Sequence, residues 1–109
     1  MTWQWKSSIV FSEMYYVYFL RMNNSQIYTG STKDLKSRMR LHECGNVTTT
    51  SKYLPVILIG YESYILKSDA QRRERYLKTT EGKRLFRQQF RDILNTVRPG
   101  SSVDRAEDF

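Results

Sequence analysis

The stretch Tyr16-Val17-Tyr18-Phe19-Leu20-Arg21-Met22-Asn23-Asn24-Ser25-Gln26-Ile27-Tyr28-Thr29-Gly30 decides the fold. Its two flanks are β-branched and aromatic, residue types that suit the pleated, half-buried surface of a sheet. The middle, Arg21 to Ser25, carries two asparagines and a serine, whose short polar side chains hold turns. The stretch therefore reads as a hairpin, with strands over Met14–Leu20 and Gln26–Gly30. An odd-length loop centred on Asn23 places Tyr18 directly opposite Tyr28, on one face of the sheet, with Cβ atoms about 5 Å apart. A two-residue loop would shift the register by one and part the rings, so the odd loop is the expectation.

Downstream, Ser31 and Thr32 offer helix N-caps, and Asp34 suits a first turn where the helix dipole favours a carboxylate. A helix is expected over Lys33–Glu43, stopped at Gly45. At about 100° per residue, Leu35, Arg38, Met39 and His42 share one stripe, which sets an arginine and the single histidine on or beside the inward face. Residues 44–54 read as a loop. Pro55–Glu62 holds Val56-Ile57-Leu58-Ile59, which suggests a third strand buried on both faces. Ser68 with Gln71 is a capping-box pattern for a helix over Asp69–Lys78, on which Ala70, Arg73, Glu74 and Leu77 share a stripe. Thr80 caps a last helix over Glu81–Leu94, with Leu85, Phe86, Phe90, Ile93 and Leu94 inward. The order β-β-α-β-α-α predicts an α+β fold: a small three-stranded antiparallel sheet flanked by helices. Residues 1–13 read as a lead-in, 14–94 as the domain and 95–109 as a polar tail.

The chain has 109 residues, enough for one compact domain. Eight tyrosines, five phenylalanines and two tryptophans supply a core and argue against disorder. A net charge of +7 favours a polyanionic partner, with nucleic acid first. Cys44 is the only cysteine, so no internal disulfide or zinc cluster is expected, and a reducing, cytoplasmic setting fits. No apolar run reaches about 18 residues, so no membrane span is expected. The charge alone would also suit an anionic membrane surface or an acidic protein, but nucleic acid rather than a membrane is the expected partner.

Tyr18, Tyr28, Arg38, His42 and Glu74 now converge from distant stretches. Each alone has a mundane reading: strand packing, a solvent-seeking arginine, a satisfied core histidine, a surface glutamate. As an ordered set they resemble a known family. Tyr16-Val17-Tyr18, a spacer of nine residues and Tyr28-Thr29-Gly30 are similar to the GIY-YIG nuclease signature, with Tyr16 and Val17 in place of the first Gly-Ile and Thr29 in place of the second Ile. Lys33–His42 resembles the family's helix with the catalytic arginine, Arg72–Lys78 its metal-site helix, and Ser51-Lys52-Tyr53-Leu54-Pro55 the third-strand entry of small stand-alone members.

The resemblance implies Tyr18 and Tyr28 as the motif tyrosines, Gly30 as the motif glycine, Arg38 on the scissile phosphate, His42 as the histidine of many members and Glu74 as the metal ligand. It weakly matches Asn95 to a late asparagine. It also implies a Mg²⁺-dependent endonuclease, with Mn²⁺ a plausible substitute. Magnesium takes one or two carboxylates and completes its shell with water and phosphate oxygens, so a single Glu74 is tolerable. Of the tyrosines, Tyr18 is favoured as base, with Tyr28 positioning the water. Gly30, Lys33, Arg72 and Arg75 would contact nucleic acid, and Arg73, Lys83 and Arg84 would also track phosphates. DNA is the first substrate, RNA is not excluded, and a protein partner is open. The competing readings are a non-catalytic nucleic-acid-binding module on the same scaffold and a protein-interaction domain with a vestigial site.

Overall fold

A computed structural model describes residues 13–96. The lead-in assigned to residues 1–13 and the tail assigned to 95–109 lie almost wholly outside the described residues. The elements are β1 (Tyr15–Arg21), β2 (Ile27–Thr32), α1 (Leu35–Glu43), α2 (Thr48–Ser51), β3 (Ile57–Tyr64), α3 (Lys67–Leu77), α4 (Thr80–Gln89) and α5 (Arg91–Thr96). The sheet is antiparallel in the order β2-β1-β3. The expected α+β architecture is present, with α2 added and the last helix split in two.

Because β1 is the central strand, Val17, Tyr18, Phe19 and Leu20 are all completely buried. Side chains alternate across a sheet. Val17 and Phe19 therefore join Ala70, Leu77 and Phe86 in the core beneath α3 and α4. Phe19, Phe86 and Phe90 form an aromatic cluster with ring centroids 4.4–5.2 Å apart. Tyr18 and Leu20 point to the other face.

The hairpin loop is odd, as expected, but centred one residue later. Ser25 N–H donates to Met22 O at 2.9 Å, closing a turn over Asn23 and Asn24, and Ser25 takes a positive φ of 72°. The left-handed third position fixes this three-residue loop, and Asn24 Oδ1 accepts from Gln26 N–H at 3.0 Å to lock it. Asn23 N–H donates to Tyr53 O at 2.8 Å, tying the loop to the turn before β3. The consequence is a corrected register: Tyr18 pairs with Gly30, and Tyr28 pairs with Leu20. The two tyrosines still share a face, as diagonal rather than direct neighbours.

Other expectations need correction. Asp34, not Ser31 or Thr32, caps α1: its carboxylate accepts from Ser37 N–H at 3.2 Å and from Ser37 Oγ at 3.0 Å. Ser68 caps nothing; α3 begins at Lys67 behind Leu66 without a side-chain cap. Thr79 rather than Thr80 caps α4, accepting from Gly82 N–H. Phe90 leaves helical geometry (φ −111°, ψ 25°), which lets its ring settle over Gly60 and breaks the final helix there. The third strand is an edge strand whose burial alternates, leaving Leu58 and Tyr61 exposed rather than covered on both sides.

Candidate active site

On the face of β1 away from α3, the side chains of Tyr18, Tyr28, Arg38 and His42 gather. Tyr28 reaches the group from β2, while Arg38 and His42 reach it from one face of α1 because they lie four residues apart. The rings of Tyr18 and Tyr28 are 6.2 Å apart, and His42 lies edge-on to both at 5.6 and 5.1 Å.

Gly30 makes this arrangement possible. A Cβ added there would meet Tyr18 Oη at 2.5 Å and Cζ at 2.6 Å, so the ring lies across the bare backbone. Gly30 is itself buried. Its expected contact with nucleic acid is corrected accordingly: the position is buried and its open side admits the Tyr18 ring.

The polar atoms form a chain whose direction can be worked out. Arg38 only donates, and its Nε–H points at Tyr18 Oη at 3.3 Å. Tyr18 O–H is then left to donate to His42 Nε2 at 2.9 Å. A neutral imidazole that accepts at Nε2 carries its proton on Nδ1, and Nδ1 lies 2.8 Å from Thr50 Oγ1. The Thr50 hydroxyl hydrogen goes on to Val47 O, at a longer 3.5 Å. His42 and Thr50 are both completely buried, and this chain satisfies both.

The electrostatics follow from the same packing. Burial pushes the Tyr18 phenol up to about 12, and the hydrogen bond from Arg38 only partly opposes it. Burial, followed by the charge of Arg38, moves the His42 imidazole below its ordinary value, so it is neutral at pH 7. Arg38 is held further up by its bond to Tyr18 and stays cationic. The site thus presents a fixed positive fork over two neutral groups able to pass a proton between them.

Glu74 does not join this network. Ser31 pairs with Val17 and faces α3, and its hydroxyl donates to Glu74 Oε1 at 2.6 Å. Lys78 Nζ donates to Oε2 at 2.8 Å. Glu74 therefore approaches the edge strand β2 from the side opposite the tyrosines. A cleft of about 440 Å³ along β2 is lined by Tyr28 and by Lys78, together with Lys83 and Arg87, but by neither Glu74 nor Tyr18, Arg38 or His42.

Among the described residues no group of three or more His, Cys, Asp or Glu is placed to hold a metal. Glu74 would be the sole carboxylate. Its donors are all oxygen, which suits a hard cation, and the Lys78 ammonium already stands where a positive charge is accommodated. Burial raises the Glu74 carboxyl, but the hydrogen bonds from Lys78 and Ser31 outweigh that and hold it below its usual range. A depressed carboxyl stabilises the fold above its unfolded pKa of about 4.3, and that contribution is lost as pH falls through the folded value. Lys78→Met removes the larger opposing bond, so the Glu74 carboxyl should titrate higher, followed by NMR. Denaturation midpoints between neutral pH and about pH 4 should then fall less steeply than in the wild type. An unmoved titration would show that Lys78 does not set the charge of Glu74.

Of the other expected contacts, Lys33 is exposed just ahead of α1 and Arg75 is exposed on α3. Arg72 is exposed too, in an ion pair with Asp69 that solvent weakens. Arg73 is corrected: its Nε and Nη2 fork onto Glu62 at 3.0 and 3.1 Å, while Tyr64 donates to the same carboxylate, so it is committed to fastening α3 to β3. Asn95 is exposed in α5. Sequence reading missed Thr50, Ser31 and Lys78. Only Lys78 left a signal, as the i+4 partner of Glu74.

A family model described as the GIY-YIG catalytic domain matches residues 14–88. The chain belongs to the GIY-YIG family. Domains of this family are generally nucleases that act on nucleic acid, typically with a divalent metal. Relatives of this GIY-YIG chain include a UPF0213 protein of Clostridium perfringens, 39% identical over 67 residues, or 60% of this chain and 71% of the relative. A UPF0213 protein of Staphylococcus haemolyticus is 35% identical over 66 residues, or 60% of this chain and 80% of the relative. The solution NMR structure of a UPF0213 protein from Bacillus halodurans aligns with a TM-score of 0.47 at 26% identity, covering 70% of this chain and 84% of that one. No helix among the described residues is long and apolar enough to cross a membrane.

Proposed function

We propose that this GIY-YIG domain is a Mg²⁺-dependent endonuclease that hydrolyses phosphodiester bonds in DNA within the cytoplasm. The observation that carries the reading is the directed chain Arg38–Tyr18–His42–Thr50, built at the cost of burying two polar side chains completely. A buried polar network of this kind has to be satisfied throughout to be tolerated, and here it ends at an arginine that can fork onto a phosphate.

Arg38 binds a non-bridging oxygen of the scissile phosphate and offsets the charge that builds on it. Tyr28 positions the attacking water. Tyr18 Oη is closed to solvent in the free protein, so Arg38 has to leave it for the phosphate to admit the water. The water then gives its proton to Oη as the Tyr18 proton passes to His42 Nε2. The concerted shift spares the site a free phenolate, which a pKa of about 12 would make rare at neutral pH. The resulting imidazolium keeps Nδ1–H on Thr50. The new P–O bond forms as the bond to the leaving oxygen breaks, and that oxygen takes a proton from solvent. Glu74, with the Ser31 hydroxyl beside it, would hold the divalent ion on the side of β2 opposite Arg38. The substrate strand would therefore have to cross the β2 edge to bring its phosphate to both, and the ion would there supply charge neutralisation and help for the leaving oxygen. Lys33, Arg72 and Arg75 hold flanking phosphates by charge.

The test is cleavage of supercoiled plasmid and of duplex, flap, branched and single-stranded oligonucleotides with Mg²⁺ or Mn²⁺. Cleavage should vanish in chelator, and Glu74→Gln and Arg38→Ala should each lose about 10²-fold or more. If both variants cut as the wild type does, the reading is wrong. One observation favours the non-catalytic binding module, namely the Lys78 ammonium already seated on Glu74. Binding with a steep salt dependence and no cleavage on any substrate would establish that alternative.

A further inference from the structure

Across the β1–β3 pairing Tyr61 stands opposite Tyr18, so it shares the face of the Arg38–Tyr18–His42 chain. The contrast between the pair is large: Tyr18 is completely buried, whereas Tyr61 is 53% exposed. Tyr16, two residues before Tyr18 and also on this face, meets Tyr61 edge-on with ring centroids 5.8 Å apart and planes at 70°. That contact fixes the Tyr61 ring without covering it. The two rings, with Lys33, Leu35 and Lys36 from the start of α1, line a cleft of about 290 Å³. Asp34 also lines it, but both its oxygens are turned to Ser37 at the helix start. The remaining charge on the cleft is the two lysines.

We propose that Tyr61 is the floor of a nucleobase subsite that takes one unpaired base of the substrate strand, next to the phosphate held by Arg38. The position fits one nucleotide. Tyr61 is the cross-strand neighbour of Tyr18, about 5 Å away, and Leu35 lies one helical turn before Arg38 on the same side of α1. An aromatic ring open on one side stacks any base, because every base has a π-face, and Lys33 and Lys36 sit where the sugar-phosphate would pass. A base inside a duplex has both faces covered by its neighbours and cannot occupy such a floor. The subsite therefore selects nucleotides already free of pairing: ends, flaps, loops and single strands. It is a specificity determinant distinct from the proton-passing groups, and it rests on the nuclease reading for the phosphate it adjoins.

Binding is measured in chelator, where nothing is cut, by anisotropy of a labelled single-stranded oligonucleotide and of the same sequence as a perfect duplex. A second single strand carries 2-aminopurine. Wild type should bind the single strand more tightly than the duplex and quench the 2-aminopurine. Tyr61→Ala should weaken single-strand binding by about tenfold, abolish the quenching and leave duplex binding unchanged, while Tyr61→Phe should behave as wild type. Tyr61 is exposed, and circular dichroism verifies that both variants fold. If Tyr61→Ala binds the single strand as wild type does, or loses both ligands equally, the subsite is overturned even where metal-dependent cleavage persists. If the preference and the quenching depend on Tyr61 but no substrate is cut with Mg²⁺ or Mn²⁺, the subsite stands and the nuclease reading falls.

Discussion

Gly30→Ala should abolish detectable hydrolysis and destabilise the domain by about 3 kcal/mol. The methyl group would arrive 2.5 Å from Tyr18 Oη, 2.6 Å from Cζ and 3.0 Å from Cε1, so one partner has to move. The β2 backbone is pinned by its pairing with β1. The Tyr18 ring is completely buried, with the His42 and Tyr28 rings beside it. If the ring swings away, Oη leaves His42 Nε2, and a buried nitrogen loses its only polar partner among the described residues. Each such loss costs about 1–3 kcal/mol, on top of the overpacking strain. For catalysis, a displacement of about 1 Å at the reacting group is worth about 10²-fold, and here the group loses its proton acceptor as well. Urea unfolding and the plasmid assay measure the two effects separately. A variant that is folded, stable and active would mean that the Tyr18 ring does not lie across Gly30.

The same glycine shows how far the sequence could be read. Tyr18 and Tyr28 on one face followed from loop parity alone, and parity is robust because side chains alternate strictly. The pairing partner was not legible. It depended on which of Asn23, Asn24 and Ser25 takes the left-handed position, and none is the glycine that would have marked it. Arg38 and His42 fell on the inward stripe of α1 because helical periodicity carries over many residues. Thr50 could not be found this way. It sits in a run of three threonines, in a one-turn helix too short to have a pattern, and only the three-dimensional path of residues 44–54 brings it to His42. Glu74 was placed on the right helix, but the convergence expected of it on the tyrosine face does not occur, because its contact, Ser31, alternates to the opposite side from Gly30. The apolar run at 56–59 suggested burial on both faces. It cannot announce that its strand lies at the sheet edge, since strand order is a property of the whole chain.

Tyr18→Phe should lower hydrolysis by about 10³-fold, within the range that positioned acid–base groups supply. Oη serves two partners in the folded protein. Its loss leaves Arg38 free to turn to solvent but strands His42 Nε2 in the interior, so a destabilisation of about 2 kcal/mol accompanies the rate effect. To show that the rate loss reflects proton transfer rather than disturbed packing, the comparison is Thr50→Val, which touches neither Tyr18 nor any phosphate. Without the Thr50 hydroxyl, Nδ1–H has no acceptor, the Nδ1–H tautomer is no longer favoured, and His42 Nε2 is less often free to receive the Tyr18 proton. Thr50→Val should therefore lose about 10²-fold in kcat with KM little changed. The pH profile carries the sign. His42 has a pKa below its ordinary 6.5 in the fold because burial disfavours its charged form. Wild-type kcat should hold steady from neutral pH down and fall only as pH drops through that lowered value. Folding stability should begin to decline earlier, once pH passes below about 6.5, where the unfolded chain takes up the proton first. Were Thr50→Val to keep both its rate and its acid limb, the Tyr18 proton would not be travelling through His42, and the buried chain would be scaffolding for Arg38 alone.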